Sequence, residues 1–220
     1  MLKDKNLKTK IKGGVTLMGR GRKSNYINKL TNKDQNFLKA LRNVGYLNQN
    51  HIKEHIGLTD KRVVNYERDG LIERCAYLNR ETKEMEHIWR LTDKGRDLTS
   101  TQMNLDNFYK SSSARHDLGL ADKYFSLSQS DRDHWLTEAD LRDRLYEQIE
   151  NLQEQREIAR AEELREMLQE RMISPPDGGC MRGEHMVTFE IITSSYGPAE
   201  LAAKDEYVQE MGVQYETIKI

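Results

Sequence analysis

The chain has 220 residues, 36% hydrophobic and 32% charged, with 35 Lys and Arg against 36 Asp and Glu for a formal net charge of −1. That length suffices for one or two small domains with modest cores and extended polar helices. No run approaches the roughly 18 apolar residues that a membrane span needs, and the first residues lack the apolar stretch of a signal peptide, so a cytoplasmic protein without membrane contact is expected.

The near-neutral balance hides an asymmetry. Nine Lys and Arg, among them Arg20, Arg22 and Lys23, face Asp4 alone in residues 1–30, so this segment carries +8 and the remainder −9. Gly13, Gly14, Gly19 and Gly21 loosen it, and a basic flexible arm that lies along phosphates or enters a minor groove is expected. These glycines lack the Lys-Ser/Thr and the strand-helix context of a phosphate loop.

Three short helical patterns follow within 31–100. Thr31 is an N-cap candidate with Asp34 at the third helical position, and Phe37, Leu38 and Leu41 share one face before Gly45. Asn48 caps a second helix carrying Ile52 and Ile56, which Gly57 stops. Thr59 caps a third, Asp60 to Asp69, with Val63 and Tyr66 facing inward and Gly70 as left-handed cap. Its outward positions are Lys61, Arg62, Val64, Asn65 and Arg68. Cations and an amide at that spacing reach phosphates and base edges in a major groove about 12 Å wide, where Arg favours guanine and Asn favours adenine. His51, Glu54 and His55 fit the H-x-x-E-H zinc-protease spacing, but they fall on the short second helix, whose Ile52 and Ile56 point to the core.

After Gly70 the period changes to two. Leu71–Leu78 and Met85–Leu91 read as antiparallel strands with Asn79 to Glu84 as a polar tip, whose Arg80 and Lys83 are placed to rest on the DNA backbone. Thr92 then caps an exit helix. Gly70-Leu71-Ile72-Glu73-Arg74, the hairpin, and Arg90-Leu91-Thr92-Asp93-Lys94-Gly95-Arg96-Asp97-Leu98 together resemble MarR-like winged-helix regulators over about a third of the chain. That resemblance implies a winged helix-turn-helix that binds double-stranded DNA.

Residues 101–112 read as a polar linker. From Ser113 a helix presents Leu118, Ala121, Tyr124 and Phe125, and a long charged helix over 138–172 carries a narrow stripe of Leu141, Leu145, Ile149 and Leu152, resumed by Ile158, Ala161, Leu164 and Leu168 after a break at Gln153 to Glu157. Such a stripe fits a homodimer contact or a helix lying on its own domain. Beyond Pro175-Pro176, Asp177-Gly178-Gly179 reads as a turn, Met186–Thr193 as a strand, Ala199–Met211 as a helix and Tyr215–Ile220 as a last strand. Cys75 and Cys180 lack partners at metal spacing and read as ordinary thiols.

The order Trp135 to Glu138, Pro176-Asp177-Gly178, Phe189-Glu190-Ile191 and then a helix with Lys204 and Tyr207 resembles the PD-(D/E)xK nuclease fold. More particularly, it is similar to the replication-relaxation or plasmid-mobilisation family of bacterial mobile elements, whose N-terminal part is a winged helix. The resemblance implies an α+β chain: a winged helix, a long charged helix, and a C-terminal α/β nuclease-like domain over 113–220. An active enzyme of that fold gathers carboxylates around Mg²⁺, which activates water and offsets charge on the phosphate. Asp177 and Glu190 match the two acidic ligands, and Glu138 is a candidate third. Ile192 stands where the motif carries Lys, so a non-cleaving version is expected, in which Asp177 caps a turn and Glu190 is neutralised or paired. The alternative is an active nuclease with Lys204 as a migrated lysine. The two functional classes are thus a sequence-specific DNA-binding protein of a plasmid or other mobile element, recruiting a replication or transfer protein or regulating transcription, and a metal-dependent nuclease guided by the winged helix.

Overall fold

The computed structural model describes residues 26–27, 29–80, 82–110 and 113–220. Helix α1, Asn32–Val44, begins in a reciprocal cap: the Asp34 N–H donates to Thr31 Oγ1 and the Thr31 N–H to Asp34 Oδ2, at 3.3 and 2.8 Å. It buries Phe37, Leu38 and Leu41 and stops at Gly45, where φ is 81°. Strand β1, Leu47–Asn48, leads into a single wide turn at His51–Ile56, which has π rather than the expected α geometry because the Gly57 N–H reaches back five residues to the Ile52 carbonyl. Asn48 Oδ1 accepts from the His51 N–H as a cap should, and Ile52 and Ile56 are buried.

Helix α2, Asp60–Arg68, is capped by Thr59 and buries Val63 and Tyr66, leaving its other face outward. Gly70, with φ of 67°, turns the chain into β2, Ile72–Leu78, which pairs antiparallel with β3, Met85–Leu91, in the register Leu78 opposite Met85. β1 adds to the other side of β3, so the sheet order is β1-β3-β2. Thr92 caps α3, Asp93–Met103. Gly95 in its first turn lies so close to the Leu71 carbonyl oxygen that a Cβ would collide with it.

The expected linker is not a free tether. α3 runs to Met103, the Tyr109 side chain is buried, and its N–H donates to the Arg42 carbonyl at 2.9 Å. Helix α4, Ala114–Ser126, then packs on α1, and the short α5, Gln129–Asp133, leads to β4, Trp135–Thr137. One apolar core runs through both halves, joining Phe37 and Tyr66 to Leu120, Tyr124, Trp135 and Phe189.

The long helix expected over 138–172 is instead two, α6, Glu138–Glu154, and α7, Ile158–Gln169, separated by Arg156 in a left-handed conformation (φ 67°). They follow β4 and precede β5, Gly178–Arg182, in chain order and pack on each other. Leu141, Leu145 and Ile149 are at most 1% exposed and form a second core with Leu152, Ala161, Leu164, Ile173 and Tyr207. Re-exposing each such side chain costs roughly 1.5–3 kcal/mol, so the stripe read as a homodimer contact is already used within the chain.

Strand β6, His185–Ile192, follows β5 antiparallel, and α8, Pro198–Met211, crosses over to β7, Gln214–Lys219, parallel to β6. The sheet order is β4-β5-β6-β7. Gly178 and Gly179 lie in β5 rather than in a turn. The Trp135 ring of β4 lies across Gly178 where a Cβ would stand, and this is why the strand carries Gly there. Among the described residues no helix is long and apolar enough to cross a membrane.

Candidate functional site

The outward face of α2 carries exposed Lys61, Val64 and Arg68 and half-buried Asn65. Arg62, expected beside them, is turned away. Its Nε and Nη2 each donate to Asp34 at 2.8 Å, and the Asp34 side chain is 1% exposed. Burial alone would raise the Asp34 carboxyl, but hydrogen bonds from Arg62 and Thr31 outweigh it and hold the group below the usual carboxylate range. Arg62 is therefore a clamp between α1 and α2. Arg68 also has intramolecular partners, Asp69 Oδ1 at 2.6 Å and Asn65 Oδ1 at 3.3 Å, although it remains exposed. Arg80 and Lys83 stand exposed at the β2–β3 tip, with Lys83 at φ 61°. Arg20, Arg22 and Lys23 lie outside the described residues. His51 does not hold a metal with His55: its Nδ1 accepts from the Asn48 N–H, its Nε2 lies 2.8 Å from Asp122 Oδ1, and both rings stack on Phe125.

The second half brings together three of the four residues read above from the nuclease resemblance. Asp177 immediately precedes β5 and faces Glu190 near the end of β6. The Asp177 N–H donates to Glu190 Oε2 at 2.9 Å, and the Ile191 N–H donates to Asp177 Oδ2 at 2.8 Å. Lys204 reaches in from α8, its Nζ 3.4 Å from Glu190 Oε1 and donating to the Pro175 carbonyl at 2.6 Å. Glu138 is not part of the group; it pairs with Arg142 one turn along α6.

Sequence reading missed the other members, which come from α4 and two connecting segments. His116 Nε2 lies 3.0 Å from Asp177 Oδ2, with Asp117 Oδ1 3.5 Å from its Nδ1. Tyr109 Oη sits 3.2 Å from His116 Nδ1 and donates to Asp177 Oδ1 at 3.5 Å; the Tyr196 hydroxyl donates to Glu190 Oε1 at 2.8 Å. Asp117 is fully buried, and its carboxylate oxygens have no hydrogen-bond partner among the described residues, which leaves the charge of His116 as its compensation. The adjacent His116-Asp117 pair in an otherwise apolar-facing helix was the signal available in the sequence.

These contacts set the charge of the cluster. Burial would lower His116, yet the carboxylates of Asp117 and Asp177 on either side raise it to about 10, so it is an imidazolium at neutral pH. Burial first, then the charge of Asp177, pushes Glu190 up to about 7 against the opposing pull of Lys204. Three carboxylates face two cations, and the group balances when Glu190 keeps its proton. The arrangement does not fit a divalent ion. Asp177 and Glu190 offer their oxygens to N–H, O–H and cationic neighbours, and His116 Nε2 stands 3.0 Å from Asp177 Oδ2. Among the described residues no group of three or more His, Cys, Asp or Glu is placed to hold one.

Comparison with known proteins found no matching protein-family model, no matching curated protein and no matching solved structure.

Proposed function

We propose that this chain is a sequence-specific double-stranded DNA-binding protein whose N-terminal half is a winged helix-turn-helix, with α2 as the helix that enters the major groove. The observation that carries this reading is the outward row of Lys61, Val64, Asn65 and Arg68 on a helix flanked by an antiparallel hairpin whose tip bears Arg80 and Lys83. Asn65 suits an adenine edge, Val64, 57% exposed, suits a thymine methyl, and the lysines and tip arginine suit phosphates. The basic segment 1–30 adds phosphate affinity. The resemblance to replication-relaxation proteins supports a cytoplasmic role on a plasmid or other mobile element, in replication, mobilisation or their regulation.

Selection from a random duplex pool followed by gel shift tests this reading. Replacing Asn65 with Ala should cost about 1–3 kcal/mol at one base position and relax preference there, and Lys61→Ala should weaken all sequences alike. An unselective pool, or equal binding by Asn65→Ala and parent, refutes it.

The nuclease alternative draws support from one contact, Lys204 beside Glu190, which is where a migrated lysine belongs. Against it stand the burial of Asp177, Glu190 and Lys204, each at most 9% exposed, and the engagement of the carboxylates by protein donors. In our reading the domain is a structural relative of the nuclease fold that does not cleave. Supercoiled plasmid incubated with the protein and Mg²⁺ or Mn²⁺ should stay intact; nicking abolished by Asp177→Ala or Lys204→Ala would reverse the assignment.

A further inference from the structure

A cavity of about 720 Å³ opens between the α6–α7 hairpin, the segment leading to β5, and α8. Among the described residues its walls carry Arg142, Arg165, Arg171 and Lys204 against one carboxylate, that of Glu200. Two of these cations are internally satisfied: Arg142 pairs with Glu138, and Lys204 is held by Pro175 and Glu190. Glu200 is held too, accepting from the Gly197 N–H at 2.8 Å as the cap of α8. Arg165 on α7 and Arg171 just beyond it have no ion-pair partner among the described residues, so their charge is left facing the cavity.

Charge alone specifies an anion; two tyrosines narrow the class. Tyr146, one turn beyond Arg142 on α6, is 49% exposed on the same wall, and Tyr196 joins the cavity to the buried cluster through its bond to Glu190. A half-exposed ring beside guanidinium groups is the combination on which a nucleobase stacks while its phosphate is gripped. The volume lies in the range of small-molecule pockets.

We infer that this cavity is a binding site for a nucleotide, its phosphate held by Arg165 and Arg171 and its base laid on Tyr146. The site is separate from the α2 surface and does not depend on the duplex reading. The nucleotide arrives either free or as part of a single strand, and the chemistry recognised is the same in both cases.

Calorimetric titration of the full chain with dTMP tests the inference, because a mononucleotide gains little from the basic segment 1–30. Saturable binding is expected, about tenfold or more tighter than thymidine or inorganic phosphate alone, since neither offers both halves of the contact. Arg165→Ala with Arg171→Ala should lose about tenfold or more, and Tyr146→Ala should lose the preference over inorganic phosphate. All three positions are at least partly exposed, and thermal midpoints matching the parent establish that the variants are folded. A short labelled oligo-dT in the same assay identifies the source: tighter binding than dTMP points to a strand, equal binding to a free nucleotide. No saturation by either probe, equal affinity for dTMP and inorganic phosphate, or unchanged binding in the double Arg variant overturns the site. Duplex gel shifts should be retained in these variants, which separates failure here from failure of the duplex reading.

Discussion

Replacing Arg62 with Ala separates a base-reading residue from a clamp. In the folded chain the Asp34 carboxylate is fully buried, capped by Thr31 and bound by two guanidinium nitrogens at 2.8 Å each. Removing the guanidinium strands a buried charge, and breaking a fully buried pair in this way costs about 3–5 kcal/mol. Arg62 itself is 28% exposed, so water reaches the vacated side and relieves part of the penalty. About 2–3 kcal/mol is the resulting expectation, which for a chain of this size lowers the melting temperature by roughly 4–12 °C. Asp34→Asn in the Arg62→Ala background removes the stranded charge and should recover about half of the loss, roughly 1 kcal/mol, because an amide oxygen still accepts from Thr31. Equilibrium denaturation of parent, single and double variants measures the cycle. An Arg62→Ala protein as stable as the parent yet unable to discriminate DNA sequences would refute the clamp and return Arg62 to the groove.

The buried cluster makes stability pH-dependent. His116, raised to about 10 from 6.5, contributes fully below pH 6.5 and loses that contribution as pH rises through 10, while Glu190, raised to about 7 from 4.5, contributes most below pH 4.5 and loses it as pH rises through 7. Denaturation midpoints should therefore fall from pH 6 to pH 10, and His116→Gln should flatten the alkaline part; parallel curves would contradict the ion-pair assignment. Asp at Leu145 and Ile149 should unfold the α6–α7 hairpin, costing several kcal/mol per buried carboxylate, and a well-folded double variant by circular dichroism would show that the stripe is not core. Gly95→Ala should cost about 2–4 kcal/mol, because the methyl must displace the Leu71 carbonyl at the join of α3 and the hairpin, and a change below 0.5 kcal/mol in urea denaturation would refute that close approach.

Local structure was legible wherever chemistry acts over a few residues. Thr31 with Asp34, Thr59 and Thr92 cap helices within one turn, and the two strands with the polar tip between them were readable over 71–91 without reference to the rest of the chain. The 3.6-residue spacing of Leu141, Leu145 and Ile149 likewise reports an apolar face. What lies opposite a face is another matter, because it depends on where distant segments arrive. The stripe closes on α7 and Tyr207 instead of on a second copy once Arg156 reverses the chain. Arg62 looks like a groove contact until Asp34, 28 positions earlier, comes within hydrogen-bond reach. Gly178 reads as a turn residue unless the Trp135 ring is known to cover it. The charged cluster shows both limits. Asp177, Glu190 and Lys204 stand out in the sequence through the resemblance of their order to the nuclease motif, whereas His116 and Asp117 join them because α4 packs against the sheet, and Tyr109 and Tyr196 because the segments before α4 and after β6 reach the cluster. Side-chain spacing along an element is set by backbone geometry, which the sequence carries directly; the partner of a buried charge is set by desolvation across the assembled core, which exists only once the fold has formed.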